Sequence, residues 1–131
     1  MRYQPALPAT LAGSHAARAF FADCFAGLTS EALWVAHLDN NTRCIHLSHH
    51  PGAEAMVELP IRQIIADAVR YGSTGIVLAH NHPSGDARPS ASDRAATRRL
   101  ACAAEAIDLT LLDHLVFAGS ECSSFRRLGL L

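Results

Sequence analysis

Residues 76 to 93 leave few folds open to this chain. Ile76-Val77-Leu78-Ala79-His80 is a short, β-branched, apolar run after Gly75, the pattern of a buried strand. Strand side chains alternate, so His80 and His82 point to one side and Asn81 to the other. Pro83-Ser84-Gly85-Asp86 reads as a turn. Pro89-Ser90 leads into a helix for which Ser90 and Ser92 are both N-cap candidates. Ser90 and Asp93, three apart, share a face of its first turn. The chain must therefore pass from the carboxyl end of a strand to the amino end of a helix, where α/β folds usually place their sites.

That junction spells H-x-H-x7-S-x2-D. Two imidazoles and a carboxylate, His80, His82 and Asp93, can hold a divalent metal ion and leave a fourth position for water. This is the composition of a catalytic zinc site rather than a structural one. The same set also suits non-haem Fe(II), but the ligand order and the helix-rich pattern differ from the jelly-roll scaffolds usual for that chemistry. A lone histidine at a strand end is more often a hydrogen-bonded structural residue; the serine and aspartate at this offset tip the balance to a metal. Cys24, Cys44, Cys102 and Cys122 are scattered, with no C-x-x-C, so neither a zinc finger nor a redox dithiol is suggested. The zinc deaminase pattern H-x-E with P-C-x-x-C is absent too. The tripeptide His-Asn-His is by itself weak evidence for a nuclease.

The chain resembles a known family at these residues. H-x-H-x7-S-x2-D is the JAMM (MPN+) metalloprotease signature. The wording is closer still to the RadC group: His80-Asn81-His82-Pro83-Ser84-Gly85-Asp86, Pro89-Ser90, Leu111-Leu112-Asp113-His114, Ser123-Ser124-Phe125-Arg126 and Gly129-Leu130-Leu131. The resemblance covers roughly residues 15 to 131. It implies a JAB/MPN-type α/β domain with a mixed, mostly antiparallel sheet flanked by helices, and zinc as cofactor. It also implies a general base, matched by Glu31 ahead of Ala32-Leu33-Trp34-Val35; a glutamate after Thr29-Ser30 is otherwise more often a solvated loop acid. In that scheme Ser90 donates a hydrogen bond to the oxyanion. RadC proteins usually carry an amino-terminal helix-hairpin-helix-like segment that these residues do not include, so DNA binding resting on that segment does not transfer. Arg127 stands where the family often has an acid.

Three readings of function follow: a zinc-dependent amide hydrolase acting on a peptide or isopeptide, a RadC-type repair accessory or protein-interaction module that retains the site, and an iron enzyme. The presence of both Glu31 and Ser90 favours the first. Net charge is −1, which gives no electrostatic case for nucleic acid or membrane binding. All basic residues are arginines, and Arg94, Arg98 and Arg99 cluster on the helix after the motif, as a solvated face or a substrate-facing patch. The lack of a signal-peptide pattern, of a membrane-length apolar run and of paired cysteines predicts a cytoplasmic protein.

The remaining elements follow from periodicity. Residues 1–13 read as an irregular leader and 14–131 as one domain. Ser14 is expected to cap a helix to about Phe25, stopped by Gly27. Ala32 to Leu38 and Arg43 to Ser48 form a hairpin around Asp39-Asn40-Asn41. His49 to Gly52 is a loop and Ala55 to Leu59 a third strand. A helix begins at Pro60 and ends within Gly72 to Gly75. The helix after the motif runs to about Ala106. Leu109 to Leu112 and Leu115 to Phe117 form a closing strand or a pair. Asp113 is either a partner of a metal-bound imidazole or a strand-end acid, and His114 carries the same alternatives. His46, His49 and His50 are either a rim or metal patch, or a solvated loop.

Overall fold

The computed structural model describes residues 7, 9–51 and 58–131. The chain forms α1 (Gly13–Phe21) with a 3-10 turn (Ala22–Cys24), β1 (Ala32–Leu38), β2 (Cys44–Pro51), α2 (Ile61–Tyr71), β3 (Gly75–Asn81), α3 (Ala91–Glu105), β4 (Thr110–Ala118) and β5 (Glu121–Ser124). The strands make one sheet in the order β2-β1-β3-β4-β5. Among the described residues only the β3–β4 pair is parallel. A parallel pair needs a crossover, and α3 supplies it. The expected mixed, mostly antiparallel sheet flanked by helices is what forms.

Every residue of β1 and β3 is buried, because these central strands are covered on both faces. On one face α1 and the following turn bring Ala17, Phe21 and Phe25 against Trp34, Ala36, Val77, Ala79 and Leu115. On the other, Ile64 and Ala68 of α2 and Ala96 and Leu100 of α3 pack on Leu33, Val35, Ile76 and Leu78. Truncating one of the fully buried leucines, such as Leu78→Ala, costs about 2–5 kcal/mol at such sites. Gly75 opens β3 where a Cβ would lie 2.8 Å from Leu112 Cδ1, so a side chain there would push on β4.

Several expectations are corrected. Ser14 does not cap α1: the helix already includes Gly13, Ala12 stands at the N-cap, and no side chain caps it. β2 continues through His49 and His50 to Pro51 instead of becoming a loop at His49, because its ladder with β1 runs on to Ala32. His49 stacks on Trp34, ring centroids 4.3 Å apart. Of the two alternatives for the closing segments the single strand forms: β4 runs through Asp113 and His114. β5, which periodicity did not reveal, pairs with its end. The expected strand Ala55–Leu59 falls mainly on residues 52–57, outside the described residues. Ahead of α1, Leu11 is buried and Thr10 bridges to Arg43, so this stretch packs on the hairpin. The Asp39 turn forms as expected, its carboxylate accepting the N–H groups of Asn41 and Arg43.

Candidate metal centre

The site stands where β3 ends and α3 begins. β3 alternation sends Ile76, Leu78 and His80 toward α2 and α3, and Val77, Ala79 and Asn81 toward α1. His82 follows, its N–H donating to the Phe117 carbonyl (2.8 Å). The turn that returns the chain to α3 requires Gly85 at φ +93°, a conformation open to glycine and costly for other residues. Ser90 caps α3 with a capping box: Ser90 Oγ accepts from Asp93 N–H (3.0 Å), and Ser90 N–H donates to Asp93 Oδ2 (2.8 Å). The cap thereby fixes the Asp93 side chain as well as the helix end.

His80, His82 and Asp93 meet with their ligand atoms all within 4.8 Å of one another and could hold a metal ion. His80 Nε2 lies 3.0 Å from His82 Nε2 and 3.4 Å from Asp93 Oδ1. His82 Nε2 lies 3.0 Å from Asp93 Oδ2. His82 Nδ1 donates to the Asp86 carbonyl (2.8 Å), so the neutral ring turns its Nε2 lone pair inward. A lone pair facing another imidazole nitrogen and a carboxylate demands a positive centre, a proton or a metal ion. The donor set fits a metal: two nitrogens, one oxygen, and outer imidazole nitrogens already engaged. Burial alone would raise the Asp93 carboxyl, but hydrogen bonding and attraction from His80, with the Ser90 contacts, outweigh it and hold it below the usual carboxylate range.

The outer nitrogen of His80 meets a residue whose role the sequence left open. His80 Nδ1 is 2.7 Å from His114 Nε2, and His114 Nδ1 is 2.7 Å from Thr97 Oγ1. Thr97 in turn donates to the Asp93 carbonyl (2.6 Å). His114 is fully buried, and burial, with His80 beside it, pushes its pKa well below the ordinary histidine value. Asp113 does not join the site. Its carboxylate accepts from Ser124 Oγ (2.6 Å), Arg126 N (3.1 Å) and His114 N (2.7 Å), tying down the chain after β5. The reason is a bulge. The β3–β4 register shifts between Ile76↔Leu111 and Val77↔Asp113. Leu111 and His114 therefore both face α3, where strict alternation from Leu111 would have turned Asp113 inward.

Glu31 precedes β1 and lines an open cleft of about 580 Å³ together with His82, Pro83, Ser90 and Asp93. Asn81 sets its position. Between the two histidines but on the other face, Asn81 Oδ1 accepts from Ala32 N–H (2.8 Å) and Nδ2 donates to the Ser30 carbonyl (3.0 Å). The backbone on both sides of Glu31 is thus gripped by the residue between the two ligand candidates. Thr97 and Asn81 were missed by sequence reasoning; the alternation that turns Asn81 away was the only available signal for it. The structure does not bring His46, His49 and His50 to this site; they lie along β2. Arg94, Arg98 and Arg99 lie exposed on α3.

Comparison with known proteins agrees with this geometry. The family described as the RadC-like JAB domain matches residues 11–130. UPF0758 protein YkfG of Escherichia coli K12 is 34% identical over 119 residues, covering 90% of this chain and 75% of that protein. UPF0758 protein YfjY of the same organism is also 34% identical over 119 residues, 90% of this chain and 74% of its own. The junction of β3 with α3, its ligand set and these matches agree, and the chain belongs to the RadC-like JAB domain family.

Proposed function

We propose that this chain is a zinc-dependent amide hydrolase of the metallopeptidase or isopeptidase type. The observation that carries the reading is Glu31, which lines the same cleft as His82, Ser90 and Asp93. A metal that only holds a fold together has no use for a carboxylate at its open side. When bound by His80, His82 and Asp93, zinc supplies a water of lowered pKa and a Lewis acid for a carbonyl oxygen.

The chain's own residues do the rest. Glu31 takes the proton of the attacking water and returns it to the leaving amine. Ser90 is exposed at the helix start, its Oγ 3.1 Å from Ser92 Oγ, and its hydroxyl proton is available to a developing oxyanion. Asp93 stays anionic as a ligand, held by the cap. The open cleft suits an extended peptide or isopeptide segment as partner rather than a small enclosed molecule. Among the described residues no helix is long and apolar enough to cross a membrane. The cysteines are free, and burial pushes the Cys24 thiol up to about 12 and those of Cys44 and Cys122 to about 11. These thiols suit a reducing cytoplasm.

The test is a peptide and isopeptide library offered to zinc-loaded protein, with Glu31→Gln as the control. Cleavage by the wild type and its loss in the variant at unchanged zinc content is the expected result. A broad search in which the zinc-loaded wild type cuts no amide bond would replace the enzyme with the accessory-module reading.

A further inference from the structure

Thr97 and His114 form a buried chain of hydrogen bonds that ends on His80, and the direction of each bond can be worked out by counting protons. Thr97 Oγ1 has one proton. Its 2.6 Å contact with the Asp93 carbonyl uses it, since a carbonyl only accepts. At 2.7 Å from His114 Nδ1 the same oxygen must therefore accept, and His114 Nδ1 carries a hydrogen. The His114 ring is 0% exposed and stacks on Phe125 (centroids 4.5 Å, interplanar angle 16°), and among the described residues its two nitrogens meet Thr97 and His80 and hydrogen-bond to no carboxylate. A second proton would leave an unpaired charge in the interior, so its Nε2 is a lone pair. His80 Nδ1, 2.7 Å away, must then be the donor. The only nitrogen left on His80 for a metal is Nε2, the atom that faces His82 and Asp93.

We propose that His114, oriented by Thr97, is a positioning residue that locks His80 in the Nδ1-protonated tautomer and so turns its Nε2 lone pair to the metal position. This rests on the metal reading above. The chain of bonds closes on itself. Asp93 offers its carboxylate to the site and its backbone carbonyl to Thr97, so one residue both supplies a ligand and anchors the relay that orients another. His82 reaches the same state by a simpler route, through the Asp86 carbonyl. The choice of imidazole rather than carboxylate as partner of His80 also has a consequence. A carboxylate at that point would add a second negative charge to the one on Asp93; neutral His114 fixes the ring without neutralising a bound dication further.

The experiment has two arms, both on the full chain at pH 8. In the first, zinc affinity is measured by chelator competition for wild type, Thr97→Val, His114→Phe and His114→Gln, with near-ultraviolet circular dichroism to check the fold. Thr97→Val and His114→Phe are expected to weaken zinc by roughly 10–100-fold, the scale for lost partners of metal-bound imidazoles. His114→Gln, whose amide oxygen can accept from His80, should recover part of the loss. In the second arm, long-range proton–nitrogen correlation in wild type reads the His80 tautomer before and after zinc. A proton on Nδ1 is expected in both, and a neutral His80 protonated on Nε2 overturns the proposal. So does full zinc affinity in folded Thr97→Val and His114→Phe. A wild type that binds no zinc but shows the Nδ1 proton on His80 would sink the metal reading and leave the lock standing. The wild-type tautomer decides the proposal even where a variant fails to fold.

Discussion

His80 and His82 at the end of β3, and His37 and His46 on the β1–β2 hairpin, are both close imidazole pairs, with ring centroids 4.8 Å and 5.5 Å apart. They differ in what surrounds them. In the first pair each outer nitrogen has a partner, His114 or the Asp86 carbonyl, and the inner nitrogens share a carboxylate. In the second, His37 Nδ1 faces Ser73 Oγ at 3.0 Å and its buried Nε2 has no hydrogen-bond partner among the described residues, while His46 lies flat on Tyr71 at 4.0 Å. Among the described residues only the first pair gains a third ligand. Proximity of histidines does not by itself make a candidate metal centre; the groups behind the rings and the anion between them do.

Removing a ligand should separate the two pairs most sharply. If the proposed reading holds, protein purified without added metal carries about one zinc per chain on the three candidate ligands. His82→Ala and His80→Ala should lose nearly all of it, and His46→Ala should keep it. Elemental analysis decides; zinc retained in both ligand variants removes the assignment.

Next in size is the loss of the base. Glu31→Gln should keep zinc and fold but slow hydrolysis of any amide substrate by roughly 10²–10⁴-fold. Ser90→Ala should lose as much or less, because zinc still polarises the carbonyl. Asp93→Asn should differ from both by weakening metal binding itself. A Glu31→Gln variant that turns over at the wild-type rate would falsify the mechanism.

The hairpin pair should reveal itself through acid instead. Burial, with His46 next to it, lowers His37 to about 4 from 6.5. The unfolded chain therefore takes up the proton first. The contribution of neutral His37 to stability is whole above pH 6.5 and is lost as pH falls toward 4, about 3 kcal/mol at most. Denaturant titrations of metal-free wild type and His37→Gln should show the shallower pH dependence in the variant over that window. Equal slopes would mean the buried ring does not drive it.

Asn81→Ala should touch the first region without touching its ligands. It leaves the Ala32 N–H and the Ser30 carbonyl without their partner, at about 1–3 kcal/mol for a buried group. Zinc affinity should hold while hydrolysis falls because Glu31 is loosened; unchanged turnover would reduce Asn81 to a structural residue. The smallest effect expected is none. With net charge −1, the chain should show no sub-micromolar, salt-sensitive binding to duplex DNA in an anisotropy titration at physiological salt. Such binding would give the arginines of α3 a role.

The ligand set was legible because its geometry is local: alternation sets His80 and His82, and a three-residue offset on a helix sets Ser90 and Asp93. The general outline of the sheet was legible for the same reason. Glu31 was not, since nothing near it marks it off from a solvated acid, and it entered only through the family resemblance. Asn81 reaches Ser30 and Ala32, and Thr97 reaches His114, partners remote in sequence that periodicity does not encode. His114 and Asp113 are adjacent in sequence, and a bulge decides which of them turns inward. β5 is only Glu121–Ser124, too short and polar to announce itself.

His80, His82 and Asp93 all fall within one short run of chain that closes through a turn. An unfolded molecule still carries that run, and with it a residual affinity for divalent ions. What folding adds comes from elsewhere: Thr97, His114 and Glu31, and the β4 carbonyl that holds His82. Stabilisation of the protein by a metal depends on the difference between its affinities for folded and unfolded chains. It is therefore smaller than the folded-state affinity alone would suggest.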